Sequence, residues 1–236
     1  PGLPVLEDCA LAIGTYYDGV HAGLFGEAGC FSFYPAKHIT SAEGGMFLAR
    51  DPDVAEAVRR IRGFCYDRSL NERRLPGIYD IDGLGLNYRM SELQAALGNS
   101  QLKRIDTILE IRRRNFAGLK ERLSGVSDIR ILDTTSPKAV NSHYTLSAVL
   151  EGGLAAGRDD LLETLQRQGI GTSVHYPHPL PRLKYYREKY GYDAADFANA
   201  ADIADHSFNL PVGPHIGDAE LDVIANTVTN ILQGGR

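Results

Sequence analysis

Apolar residues in the first hundred positions fall in short runs divided by turn residues, a spacing that predicts strands. One run covers residues 3–6 and ends in the acidic pair Glu7-Asp8. Tyr16-Tyr17-Asp18-Gly19-Val20 predicts a hairpin, because Asp-Gly readily takes the left-handed backbone a two-residue turn needs. Residues 30–34 form an aromatic run, and Gly45-Met46-Phe47-Leu48-Ala49 a second apolar one. Asp51-Pro52-Asp53 then opens a helix to about Arg62, acidic at its start and basic at its end as the helix dipole favours.

The period changes at Ser91. Leu93, Leu97, Ile105, Ile108, Leu109, Phe116, Leu119 and Leu123 recur at three- and four-residue steps and make one apolar stripe. Ser91 with Gln94 is a capping-box start, and Ser124-Gly125 a stop. A helix of roughly 30 residues is long for a globular unit and predicts a strut between two domains. Beyond it, residues 147–150 and 170–176 read as strands and 158–168 as a helix between them. The run His175-Tyr176-Pro177-His178-Pro179-Leu180-Pro181 reads as a loop. Residues 194–206 and 218–232 complete the pattern as helices, with Asp218 a candidate N-cap. The expected organisation is a larger α/β domain over residues 1–124, including the long helix, and a smaller α+β domain over 125–236.

Composition narrows the class. The 236 residues are 43% hydrophobic and 23% charged, ordinary for a globular chain with a real core. A net charge of -5 argues against nucleic acid as the partner, and Arg112-Arg113-Arg114, lying among acids on the helix, read as a solvated face. No apolar run reaches the ~18–20 residues that span a bilayer, and no signal-peptide pattern opens the chain. Cys9, Cys30 and Cys65 are too few and too irregularly spaced for a disulfide framework or a zinc site, so buried reduced thiols, no metal and a cytoplasmic location are expected. Pro1-Gly2-Leu3-Pro4 runs at once into an apolar strand, which suggests that sequence is missing upstream.

The candidate chemistry is concentrated around Lys37. It follows the aromatic strand and precedes Glu43-Gly44-Gly45. A lysine drawn out of water loses its preference for the charged form and becomes nucleophilic, which suits it to bind an aldehyde; a solvated lysine at a strand end is the ordinary alternative. Asp8 ends the first strand, where parallel strands open into ligand crevices. A carboxylate there could hold a pyridinium nitrogen protonated, or simply cap a loop.

The residues around these two resemble the DegT/DnrJ/EryC1/StrS family of pyridoxal-phosphate (PLP) sugar aminotransferases. The blocks are Val5-Leu6-Glu7-Asp8-Cys9-Ala10, Gly26-Glu27-Ala28-Gly29-Cys30-Phe31-Ser32-Phe33-Tyr34-Pro35-Ala36-Lys37, Ala42-Glu43-Gly44-Gly45-Met46, Gly85-Leu86-Asn87-Tyr88-Arg89-Met90-Ser91-Glu92-Leu93-Gln94-Ala95-Ala96 and Val174-His175-Tyr176. They run in the family's order across nearly the whole chain. The resemblance implies an aspartate-aminotransferase-like, type I α/β fold, of which this chain would hold part of the large domain with a mixed sheet, plus the small domain. It implies PLP held by Lys37 as an aldimine, with Lys37 then shuttling a proton in ping-pong chemistry. Asp8 would bind the pyridinium nitrogen, Ser32 the phosphate of its own subunit, and Asn87 a phosphate in the neighbouring one, so a homodimer would share its sites. Arg89, His175 and Tyr176 would line the substrate side. The implied substrates are a nucleotide-linked keto-sugar and an amino-acid donor, glutamate first.

Two features depart from the family. Leu11 stands where many members place Gln or His against the cofactor ring, and the long N-terminal stretch with its phosphate-binding turn and stacking aromatic is missing. A dehydratase branch carries histidine in place of the lysine, so Lys37 favours transamination over dehydration. A non-catalytic subunit that depends on a partner chain is the remaining alternative.

Overall fold

The computed structural model describes residues 2–152, 157–193 and 195–234. Pro1, and Ala194 at the start of the helix expected over 194–206, lie outside the described residues. The chain divides into two compact units, residues 1–107 with 136–142, and residues 108–135 with 143–236.

The first unit is built on a mixed sheet in which β1 (Leu6–Asp8) runs parallel to β4 (Ala28–Ser32), and β5 (Gly45–Ala49) returns antiparallel to β4. The register sets Asp8 beside Cys30 and Ser32 beside Gly45. The first strand begins three residues later than the apolar run suggested, because Leu3 and Val5 stay exposed while Glu7 is drawn in by hydrogen bonds. The hairpin of β2 (Tyr16–Tyr17) and β3 (Val20–His21) forms as expected, with Asp18 and Gly19 both at positive φ. It gains a third strand from far along the chain, β7 (Ala139–Val140). Helix α1 (Pro52–Ile61) starts where Asp51 accepts a hydrogen bond from the Asp53 amide at 2.8 Å.

The helix expected as one long element is two. Ser91 caps α2 (Glu92–Leu102) in a reciprocal box with Gln94, and the chain turns at Lys103-Arg104 before α3 (Ile105–Arg122) begins. Arg104 bonds to the Gln101 carbonyl, a three-residue closure that ends the α-helical ladder, and Asp106 supplies the acidic first turn of a new helix. The stripe runs across this joint unbroken in sequence, yet Leu93 is exposed while Ile108, Phe116, Leu119 and Leu123 are buried.

The second unit is α+β. Its antiparallel sheet has the order β6 (Ile129–Ile131), β8 (Leu146–Leu150), β9 (Ser207–Leu210). Helices α4 (Arg158–Arg167), α6 (Ala198–His206) and α7 (Asp218–Gly234) appear near their expected positions, and α5 (Lys184–Tyr190) is an addition. Phe116, Leu119, Leu146, Leu165, Phe208, Leu210 and Val228 form the centre of one apolar cluster. The strand expected over 170–176 is reduced to one bridge between Ser173 and Asn209. Gly169 at positive φ and Gly171 precede the bridge and the proline run follows it, so no further ladder can form.

Arg112 corrects another expectation. It is buried, and its guanidinium donates to the carbonyls of Tyr144 at 2.8 Å and His143 at 3.5 Å. Burial lowers its pKa from the ordinary value. Three consecutive arginines sweep some 200° around a helix, so one of them must turn inward. Among the described residues no helix is long and apolar enough to cross a membrane, and no cluster of three or more metal-binding side chains occurs. Cys9, Cys30 and Cys65 are free thiols; Cys9 is buried and the other two are half-buried.

Candidate active site

Because β1 and β4 are parallel, their carboxyl ends meet at one edge of the sheet. Asp8 is the last residue of β1 and Ser32 the last of β4. Both line one cavity of about 360 Å³, with Leu6, Glu7, Ala10, Cys30 and Phe31. Residues two apart on a strand share a face, so Cys30 and Ser32 point the same way. One Asp8 carboxylate oxygen accepts from the Ala10 amide at 3.0 Å, which turns the chain away from the strand end.

The segment after β4 is closed by short-range bonds. Ser32 Oγ accepts from the Tyr34 amide at 3.3 Å, and the Lys37 amide donates to the Tyr34 carbonyl at 2.9 Å. Lys37 is therefore half-buried in a tight turn five residues beyond Ser32. The loop then folds back on β4, with Thr40 Oγ1 and the Ser41 amide both donating to the Phe33 carbonyl at 3.0 Å. Gly44 has φ +156, and a Cβ there would stand 2.3 Å from Ser41 Oγ and 2.7 Å from Met90 Cε. Only glycine fits between that loop and Met90.

Asn87 and Arg89 belong to a segment that runs against residues 61–64: Asn87 bridges to Gly63, and the Tyr88 amide donates to the Arg62 carbonyl at 2.8 Å. Arg89 Nε donates to Asn87 Oδ1 at 3.3 Å, and its guanidinium lies 5.0 Å from the centre of the Phe64 ring. Both side chains are exposed. Arg89 lines a second cavity, of about 730 Å³, with Glu43, Gly44, Arg59 and Arg62 among others. The structure thus brings Asp8 and Ser32 into one cavity and Arg89 into another of the same unit. His175 and Tyr176 belong to the second unit, where the His175 ring stacks on Tyr144 at 5.7 Å and Tyr176 is exposed.

Glu7, on the opposite face of β1 from Asp8, was not singled out by sequence. Its carboxylate accepts from the amides of Gly23 at 2.6 Å, Phe25 at 2.7 Å and Gly26 at 2.7 Å. These bonds, that of Gly26 foremost, hold its carboxyl below the usual carboxylate range. Strand alternation in the pair Glu7-Asp8 was the available signal: one carboxylate must face away from the other.

The sequence pattern of the DegT/DnrJ/EryC1/StrS aminotransferase family matches residues 1–229. The chain belongs to this family. It is 32% identical over 241 residues to the spore coat polysaccharide biosynthesis protein SpsC of Bacillus subtilis, covering 99% of this chain and 61% of SpsC. It is 30% identical over 247 residues to dTDP-4-dehydro-2,6-dideoxy-D-glucose 3-dehydratase of Saccharopolyspora spinosa, covering 97% of this chain and 53% of that enzyme. Spr1654 of Streptococcus pneumoniae, described as a sugar aminotransferase and solved in its PLP form, superposes with a TM-score of 0.87 at 25% identity, over 98% of this chain and 58% of that one. The fold is therefore the expected aspartate-aminotransferase-like one, and this chain spans between 53% and 61% of the curated relatives' length.

Proposed function

We propose that this family member carries the lysine-bearing part of a PLP-dependent aminotransferase that moves an amino group from an amino acid, glutamate first, to a nucleotide-linked keto-sugar. The observation that supports it most directly is the shared cavity of Asp8 and Ser32 at the carboxyl ends of β1 and β4, with Lys37 in the turn that follows. The donor set fits PLP: a carboxylate for the pyridinium nitrogen, a hydroxyl for the phosphate, and a primary amine for the aldehyde. The cavity also lies within the ~300–1,000 Å³ usual for small-ligand sites.

When bound, the cofactor supplies an electron sink and a carbon that exchanges amines. Asp8 keeps the ring nitrogen protonated, and its bond from the Ala10 amide fixes the orientation in which it does so. Ser32 donates its hydroxyl proton to a phosphate oxygen while its own oxygen accepts from Tyr34. Lys37 would anchor the cofactor through Nζ and would be the group that takes up a proton from the donor's α-carbon. Asn87, exposed beside Arg89, extends to the cofactor phosphate of a second subunit, so two chains complete each other's sites. Arg89, His175 and Tyr176 serve the substrate side.

The dehydratase relative favours a second reading, in which the sugar loses water and ammonia is released. Lys37 opposes it, because by the resemblance the family's dehydratase branch carries histidine at that position. Incubation with PLP, reduction by borohydride and peptide mapping test the proposal: the label falls on Lys37 and is absent from Lys37→Ala. A label elsewhere, or a Lys37→Ala protein that still transfers amino groups, would overturn it. Ammonia release without an aminated sugar would establish the dehydratase instead.

A further inference from the structure

Lys37 and Asp8 lie in two different turns of the first unit, and a third segment ties those turns together. Segment 136–142 adds β7 to the hairpin and ends at Ser142, which is buried at 5% exposure. Ser142 Oγ donates to the Leu11 carbonyl at 3.1 Å and accepts from Thr15 Oγ1 at 3.0 Å. Both partners belong to the turn that leaves Asp8, which is closed by the Ala12 amide on Cys9 and the Thr15 amide on Ala12. The Ser142 carbonyl faces His38 Nε2 at 3.2 Å. A carbonyl only accepts, so Nε2 bears the proton and donates. His38, at 4% exposure, is the residue after Lys37.

We infer that Ser142 is a positioning residue that, through His38 on one side and Leu11 and Thr15 on the other, sets the placement of the Lys37 turn relative to the Asp8 turn. Asp8 and Lys37 must act on opposite sides of one small cofactor, so the two turns have to keep a fixed spacing. The Cys9 amide ties the end of β1 to β4 through the Cys30 carbonyl at 2.8 Å, but the Lys37 turn lies beyond that point and closes on the Tyr34 carbonyl. Ser142 spans the interval from a buried position, with His38 buried and Leu11 and Thr15 half-buried, where hydrogen bonds are costly to lose. It also gives Leu11 a role that needs no polar side chain, since the backbone carbonyl of Leu11 is the acceptor. The inference rests on the functional reading above only in assigning chemistry to Lys37 and Asp8; the linkage itself does not depend on the cofactor.

The test perturbs one turn and reads the other. Amide exchange is measured by mass spectrometry on the 236-residue chain and on Thr15→Val, Ser142→Ala and His38→Leu. His38 Nε2 bonds to the Ser142 carbonyl, so His38→Leu should speed exchange at Ala12 and Thr15, and Thr15→Val should speed exchange at Lys37 and Ser41, each by about ten-fold as expected for one lost hydrogen bond. Effects confined to the mutated turn in all three variants would overturn the inference. Thr15→Val and Ser142→Ala remove hydroxyls at nearly constant volume, so the comparison stands even if His38→Leu does not fold. A second readout is the rate at which borohydride-fixed PLP accumulates on Lys37. It should fall by about ten-fold in His38→Leu and recover in His38→Gln, whose amide nitrogen can replace Nε2 as donor. Unlabelled wild-type chain would count against the proposed function, and the exchange arm would still decide the linkage.

Discussion

Replacing Glu7 by Gln tests whether a single carboxylate holds the entry to β4. The two side chains are nearly the same size, so the change removes charge and one acceptor with little effect on packing. In the wild-type chain one carboxylate oxygen accepts from Phe25 and Gly26, and the other from Gly23, all within 2.7 Å. A glutamine keeps one oxygen for the first pair and presents an NH2 group to the Gly23 amide, donor against donor. Bonds to a charged acceptor are worth roughly 1.5–3 kcal/mol each in buried settings. Glu7 is half-buried, so water competes and the sum of three is an overestimate. The loss of one such bond and weakening of the other two gives about 2 kcal/mol, or roughly thirty-fold in a local opening equilibrium.

The assay is native-state amide exchange at Gly23, Phe25 and Gly26, which reports this loop independently of the second unit. The pH dependence carries the sign. The folded carboxyl titrates below its ordinary value of 4.5, so its contribution is fully present above that value and is lost as pH falls through the folded pKa. Wild-type protection should therefore decline as the solution is acidified below about 4.5, and Glu7→Gln should show low protection already at neutral pH with no such decline. A Gln variant protected like wild type at pH 7, with the same acid-side slope, would refute the argument that this carboxylate orders the loop.

Two further predictions concern the second unit. Asn115 is fully buried and donates to the carbonyls of Gly213 at 3.0 Å and Ile216 at 2.9 Å; Asn115→Leu should cost roughly 3 kcal/mol in urea unfolding, because those acceptors lose their partner. His143 stacks on Phe116 at 4.1 Å, and burial lowers its pKa below 6.5, with Asp133 opposing and Arg113 and Lys120 adding to the effect. Its neutral form is the stable one, so stability should fall as pH drops below about 6.5 towards the folded pKa, and His143→Asn, which tolerates the positive φ, should remove that component of a pH-dependent melt.

How far the fold could be read in advance depended on how local its causes were. Hairpin β2–β3 follows from Asp18-Gly19 alone, and the N-cap at Asp51 and the capping box at Ser91 need only a few neighbouring residues. The break between α2 and α3 was hidden because an apolar stripe can continue across a turn without losing its spacing. Strand β9 was hidden for a different reason. All four of its residues are buried, so Ser207-Phe208-Asn209-Leu210 shows no useful alternation, and Asn209 looks misplaced until its partners Thr145, Ser147 and Ser173 are seen.

The same division separates the residues proposed for chemistry from those that would hold them in place. Asp8 and Lys37 are visible in sequence because each sits at or just beyond a strand end, where a parallel pair opens, and Ser32 only through the family blocks around them. Ser142 carries no such mark. Its partners His38 and Leu11 are 104 and 131 residues away, and a serine in a polar stretch before Leu146 reads as a loop residue. Arg112 is similar, since its carbonyl partners lie 31 and 32 residues on. A short motif can specify which groups meet a cofactor, but their spacing is set by chain crossings, and a crossing leaves no period in the sequence. That is why the Lys37 turn was legible as a candidate and its tie to the Asp8 turn was not. It is also why a variant at Ser142, far from both in sequence, is the sharper probe of whether the two turns act together.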